Sequence, residues 1–157
     1  MPDDLFRIAN EQGILVEFCE FPPNGLGFYS RTYTPPVILL SKLLKKNRLL
    51  LRVILAEELG HHFTGAVISG ACSNITSTQQ LKNKIEKKAL WWAACQLVPF
   101  DNLVATLNEN DFLLHELAEN LNITERFLET SIRLYYQKKG DLMIKKLNRL
   151  PEELNSN

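Results

Sequence analysis

Residues 53–65 read VILAEELGHHFTG, an apolar run followed by two glutamates, a glycine and two histidines. Together with the residues before it, this stretch contains a stripe with helical spacings of four, three and four. The stripe consists of Leu50, Ile54, Glu57 and His61. Gly65 suits the left-handed position that commonly ends a helix. The sequence therefore predicts one long helix over residues 47–64, with carboxylate and imidazole groups in its last two turns.

The spacing of these groups suits a metal site. Glu57 and His61 lie one helical turn apart on the same face, so they can contact one ion. The pattern is that of the zinc-protease signature His-Glu-x-x-His, with glutamate in the first histidine position. Glu58 then occupies the position of the general base, which activates a metal-bound water. A catalytic zinc needs three protein ligands, so the third must come from another element.

The following helix offers that third ligand. The pattern predicts a helix over residues 78–97, which Pro99 ends. One stripe of this helix has spacings of three, four and three, and consists of Glu86, Ala89, Ala93 and Gln96. Small alanine side chains would let this helix pack closely against the first one. Glu86 would then face the ion.

The two helices together resemble the ImmA/IrrE family of metallopeptidases. That family has an H-E-x-G-H helix, a short loop and a helix of the form E-x-x-A-N-x-F-A-x-x-L-L-x-P. This chain has EELGHH at 57–62, a loop, and EKKALWWAACQLVP at 86–99. The match holds at the glutamate, two alanines, an aromatic residue, a leucine and the closing proline. The departures are Glu57 in the first histidine position and Leu90 in place of asparagine, and the resemblance covers about residues 1–100 well.

The resemblance implies a metal-dependent endopeptidase with one zinc ion, other divalent metals being possible. Carried over by position, Glu57, His61 and Glu86 are the metal ligands and Glu58 is the catalytic acid and base. It also implies a narrow substrate class, the helix-turn-helix repressor of a phage or mobile element, which is cleaved to lift repression. Zinc accepts carboxylate oxygens at about 2.0–2.2 Å, so Glu57 is chemically acceptable as a ligand. Two carboxylate ligands leave the ion less positive, so we expect slower hydrolysis than with two histidines.

Three other interpretations of the motif stay open. Glu57 and Glu58 are compatible with a solvated face near the end of a helix. Glu58 and His62 form a second pair at the same spacing, so His62 is an alternative ligand to His61. The chain is also compatible with a non-catalytic antirepressor, a protein-binding module on a peptidase fold that has lost turnover. The substituted ligand position favours that module, and the presence of Glu58 argues against it.

The rest of the N-terminal part predicts a small sheet before the long helix. Asp3 or Asp4 can cap a short first helix that stops at Gly13. Three segments rich in strand formers follow, over residues 14–21, 26–33 and 35–40. We expect an α+β fold, in which a three-stranded antiparallel sheet packs on a zincin-like core of two helices. The polar residues 66–80 predict a loop.

The C-terminal third predicts helices near residues 100–107, 111–121 and 124–139, with Gly140 closing the last. The last two resemble a helix-turn-helix, with Asn122 in the turn and Thr124 as the cap of the second helix. That second helix carries Glu125 and Glu129 as well as arginines, whereas a helix that reads DNA should be more basic. We therefore expect a helical scaffold on the peptidase-like domain rather than direct nucleic-acid binding, with a DNA-binding regulator as the weakest alternative. The predicted domains are 1–100 and 101–150, followed by a tail over 151–157.

The amino-acid composition limits the possible binding partners of the protein and its possible location in the cell. Lys and Arg together number 18, as do Asp and Glu, so net charge gives no general attraction to nucleic acid or to an anionic membrane. The three cysteines are far apart in sequence and predict no disulfide framework. No signal peptide and no apolar run long enough to span a bilayer is recognisable. A cytoplasmic protein that acts on another protein is the expectation.

Overall fold

The structure, a computed structural model, describes residues 3–23, 25–65, 75–108 and 113–147. The fold is α+β, as the sequence predicts. In chain order the elements are α1 (Asp3–Glu11), β1 (Leu15–Cys19), β2 (Gly27–Ser30), β3 (Val37–Ser41), a short 3-10 helix (Lys42–Lys46), α2 (Arg48–Thr64), α3 (Ile75–Leu97), α4 (Phe100–Leu107), α5 (Leu114–Asn120) and α6 (Glu125–Lys146).

The three strands form a mixed sheet in the order β1-β3-β2. β1 pairs with β3 in parallel, and β2 pairs with β3 antiparallel. The prediction of an all-antiparallel sheet is therefore wrong for one of the two pairs. It assumed that consecutive strands pair, but the most apolar strand, β3, lies between β1 and β2. Ile38 and Leu40 of β3 are fully buried, which explains why this strand takes the central position.

The long helix α2 packs on this sheet as the centre of the first compact unit. Its Leu55 and Leu59 are fully buried. The side chain of Asn47 accepts a hydrogen bond from the Leu50 N–H at 3.0 Å and caps the helix N-terminus. Gly65 ends the helix with a left-handed φ of 63°. Both ends agree with the prediction from sequence, and the helix holds its last turns beside β2.

Helix α3 begins earlier than predicted, at Ile75 instead of residue 78. Residues 75–80 are therefore helical and not part of a loop, while the rest of that predicted loop, residues 66–74, lies outside the described residues. A polar sequence extends a helix at little cost once its apolar part has formed. Ala89 and Ala93 are buried, as expected for the side that packs against a neighbouring helix.

The second compact unit contains α4, α5 and α6. Asn122 has a positive φ of 54°, and the Thr124 side chain accepts from the Phe127 N–H at 3.2 Å, so the predicted turn and cap are confirmed. Helix α6 is kinked at Lys139, whose φ of −133° and ψ of 26° are not helical, so the predicted end near residue 139 coincides with a break before Gly140, and a second helical segment that the sequence did not predict continues to Lys146. Met143 is fully buried, which gives the extra turns a reason to form.

The division into compact units falls inside α3, at Met1–Ala93 and Ala94–Asn157. The predicted domain limits at 100 and 150 stay a prediction, and the tail over 151–157 lies outside the described residues. Within the part of the chain that the structure describes, no helix has the length and apolarity needed to cross a membrane.

Candidate active site

A pocket of about 400 Å³ lies in the first unit, where β2 and the bend after it meet α2 and α3. Three of the four predicted site residues line it. The described lining residues are Gly27, Phe28, Tyr29, Ser30, Arg31, Thr32, Glu58, His61, Ile85 and Glu86. Glu57, the predicted first ligand, is not among them.

Strand β2 lies directly over Glu58. A Cβ atom on Gly27 would sit 2.5 Å from Glu58 Oε1 and 2.7 Å from Ile54 Cγ2, so only glycine permits this approach. Two residues along the strand, the backbone N–H of Tyr29 donates a hydrogen bond to the Glu58 carboxylate. The strand thus fixes the carboxylate that the sequence predicts as general base. Sequence analysis missed this role of β2, although a glycine inside the strand-forming segment 26–33 was a signal of close backbone approach.

Helices α2 and α3 bring His61 and Glu86 together. The distance from His61 Nε2 to Glu86 Oε2 is 3.4 Å. The His61 side chain is largely buried, whereas the Glu86 side chain is 56% exposed. The helices approach closely because residue 60 is glycine, since a Cβ there would lie 2.9 Å from the Ala89 Cα. The packing expected from the alanine stripe of α3 therefore depends on Gly60 as well.

Two of the carboxylates, Glu57 and Glu58, are partly buried and lie close enough to Glu86 for its charge to act on them. Burial raises the pKa of Glu57 to about 7, with a further contribution from the charge of Glu86. Burial also raises the pKa of Glu58 to about 8, assisted by the charges of Glu57 and Glu86 and opposed by the Tyr29 N–H. Such mutual repulsion among carboxylates is the electrostatic condition that a bound cation relieves.

The described contacts of the His62 ring are with Tyr29 and Phe63. Its Nδ1 lies 2.9 Å from the Tyr29 hydroxyl, and its ring makes edge contacts with Tyr29 and Phe63. Burial and the charge of Arg31 lower the pKa of His62. The structure therefore places His61, and not His62, next to Glu86, and it gives no support to the alternative Glu58/His62 pair.

The predicted ligands are residue types that suit a divalent ion, but only some of these side chains lie close enough together to hold one. Imidazole and carboxylate are ordinary zinc ligands, and His61 and Glu86 are adjacent. Among the described residues, no group of three or more His, Cys, Asp or Glu side chains is arranged to hold a metal ion. Two of the three predicted ligands are thus brought together, and Glu57 is not grouped with them.

Comparison with known families identifies the fold around this pocket. The family model Peptidase M78, described as the IrrE N-terminal-like domain, matches residues 9–133. No curated protein and no solved structure matches the chain. The matched range contains β1 to β3, α2 and α3, and thus every residue of the pocket. The resemblance predicted from the two helices is confirmed, and the chain belongs to the IrrE N-terminal-like family of M78 peptidases.

Proposed function

We propose that this protein is a metal-dependent endopeptidase whose active site is the pocket beneath β2. The observation that carries the proposal is that Glu58, His61 and Glu86 line one pocket, with His61 and Glu86 3.4 Å apart. Family membership supports the same reaction class. A functional pocket of this kind is expected to combine convergent polar groups with strongly perturbed pKa values, as Glu58 does.

His61 and Glu86 would hold the metal, and Glu57 would be the third ligand. The metal, which we take to be zinc or another divalent ion, would polarise the peptide carbonyl and lower the pKa of the attacking water. Glu58 would accept a proton from that water and pass it to the leaving nitrogen. The Tyr29 N–H would keep the Glu58 carboxylate in place during this transfer.

The proposed substrate is a protein, namely a helix-turn-helix repressor of a phage or mobile element in the cytoplasm. The support for this class is the family to which the chain belongs. In the second unit the helix after the turn begins with Glu125 and also carries Glu129, so its charge speaks against a DNA-reading role.

A second candidate is the non-catalytic antirepressor, which binds its partner without cleaving it. One observation favours it specifically, since within the described residues no three ligand side chains are arranged around one ion. Glu57, which replaces the first histidine of the zinc-protease signature, also favours this non-catalytic candidate. Glu58 argues against it, because a binding module has no evident need for a buried carboxylate fixed by a strand N–H.

The test is cleavage of candidate repressors by zinc-supplemented protein, followed by gel electrophoresis and mass spectrometry. We expect one specific cut, and Glu58→Gln should slow it by about 10²–10⁴-fold while the repressor still binds. Glu17→Gln, at an exposed carboxylate of β1, is the matched control and should cleave normally. Equal cleavage by Glu58→Gln would refute its role, and binding without any cleavage by the native protein would establish the second candidate.

A further inference from the structure

We propose that Arg31 selects substrates with an acidic side chain a few residues to one side of the cleaved bond. Arg31 lines the same pocket as Glu58 and Glu86. The inference rests on the proposed function, because it assigns a specificity to the proposed active site. It concerns a residue of the bend after β2, which neither the helix motifs nor the family pattern includes.

The backbone holds Arg31 in a defined place on the pocket wall. Its two neighbours are tied to each other, since Ser30 Oγ and Thr32 Oγ1 share a hydrogen bond of 2.5 Å. Ser30 Oγ also accepts from the Thr32 N–H at 3.3 Å. Ser30 is buried, whereas the Arg31 side chain is exposed. The bend is therefore fixed at its base while Arg31, which lines the pocket, stays exposed to solvent.

The charge of Arg31 is available to a ligand. Among the described lining residues it is the only lysine or arginine. No carboxylate in the described part of the chain lies within ion-pair distance of it. The positive charge of Arg31 acts to lower the pKa values of Tyr29 and His62, so the guanidinium lies near these two side chains. The described lining of the pocket thus combines carboxylates with one cation that has no carboxylate partner.

The spacing along β2 gives the position of the acidic residue. The N–H of Tyr29 is hydrogen-bonded to the Glu58 carboxylate, and Arg31 follows two residues later, in the bend after β2. At about 3.3 Å per residue of extended chain this separation is about 7 Å, which an extended substrate crosses in about two residues. Since the arginine side chain can also extend further from Glu58, we expect the acidic residue about two to four positions from the cleaved bond. An acidic side chain closer to the bond would instead meet the charges of Glu58 and Glu86.

The experiment uses libraries of fluorescence-quenched decapeptides in which Glu, Gln or Lys is fixed at each position in turn. Cleavage is measured with the zinc-supplemented protein, and binding is measured by anisotropy with Glu58→Gln, which should bind without cleaving. Each measurement is repeated in an Arg31→Gln, an Arg31→Glu and an Arg48→Gln background. Arg48 is an exposed arginine at the start of α2, about 15 Å along that helix from Glu58, and provides the matched control.

We expect Glu to be preferred over Gln by about two- to fivefold at one or two positions on one side of the cut. The preference should disappear in Arg31→Gln, turn towards Lys in Arg31→Glu and persist in Arg48→Gln. A preference that survives Arg31→Gln, or no preference at any position, overturns the inference. Binding that prefers Glu through Arg31, without cleavage by the native protein, overturns the proposed function alone. Neither binding nor cleavage of any peptide overturns both.

Discussion

Glu57 stands where the zinc-protease signature has its first histidine, and its chemistry differs from that of histidine in a measurable way. Its pKa of about 7 means that the metal-free protein carries a proton on this carboxyl for much of the time near neutral pH. A metal ligand must be deprotonated, so an ion that binds Glu57 has to displace this proton. We therefore expect any metal binding through Glu57 to strengthen as the pH rises through about 7, because the proton must leave first.

Glu57→His should tighten zinc binding by at least about tenfold, which corresponds to about 1.4 kcal/mol. The reason is that the variant restores the second imidazole of the zinc-protease signature, a common zinc ligand that is mostly neutral at pH 7. Isothermal titration with zinc measures the change, and Glu17→His on the exposed side of β1 is the control. An unchanged affinity in Glu57→His would show that this residue does not contact the ion.

Gly27→Ala should reduce cleavage by at least about tenfold, because its Cβ would meet Glu58 Oε1 at 2.5 Å and move the general base. The free energy of unfolding should also fall, because the same Cβ would lie 2.7 Å from Ile54 Cγ2, so urea denaturation is run on this variant and on its control. Gly140→Ala is the control, because a Cβ at that position meets nothing within 4 Å. The measurement is kcat/KM for Gly27→Ala and for Gly140→Ala. Equal values for the two variants would mean that β2 does not position Glu58.

At the scale of elements, the contact between α2 and α3 determines whether His61 meets Glu86. Gly60→Ala places a Cβ against the backbone of Ala89, and backbone cannot rotate away as a side chain can. We expect a loss of about 1–3 kcal/mol in the free energy of unfolding. Urea denaturation measures it, with Gly140→Ala as a control that should be neutral or slightly stabilising. A Gly60→Ala protein as stable as the native one would contradict the close packing of these helices.

The sequence predicts those elements best whose ends carry their own signals. The predicted end of helix α2 is confirmed, because Gly65 takes the left-handed conformation that ends a helix, and its start differs from the prediction by one residue because Asn47 is the cap. The pairing of the strands could not be predicted, because it depends on which strand lies in the middle and not on any local pattern. Gly140 marks the kink at Lys139, and the helical segment beyond it has no end signal of its own in the sequence but buries Met143.

The residues of the candidate site also fall into two groups, those that the sequence predicts and those that it does not. Glu58, His61 and Glu86 were predictable because helical spacing and the family pattern act within two neighbouring helices. The contributions of Gly27 and Tyr29 were not, because they come from a strand about thirty residues earlier in the chain. Only the packing of β2 on α2 brings these residues over Glu58.

For the whole molecule, the raised pKa values predict how stability depends on pH. Glu57 and Glu58 keep their protons to about pH 7 and 8 when folded, against a usual value of 4.5. The folded state therefore binds more protons across this range, so the free energy of unfolding falls as pH rises. His62, whose pKa is lowered, acts in the opposite direction only at lower pH, near and below its usual value of 6.5.

We expect the metal-free protein to lose about 1–3 kcal/mol of stability between about pH 6.5 and 8.5. Urea denaturation with a chelator present measures this loss, followed by the fluorescence of Trp91 and Trp92 in α3. Glu58→Gln removes one of the two titrating groups and should lose less. Stability that stays constant or rises over this range would show that the two carboxyls are not held protonated by the fold.

The central claim is that this pocket holds a metal ion through residues of α2 and α3. The most direct test is the metal content of protein purified without chelator and without a histidine tag, measured by elemental analysis. We expect about one divalent ion per chain in the native protein and in His115→Ala, at an exposed histidine of α5. His61→Ala and Glu86→Ala should lose that ion. A native protein that contains no metal, and takes up none from micromolar zinc, would show that this pocket is not a metal site.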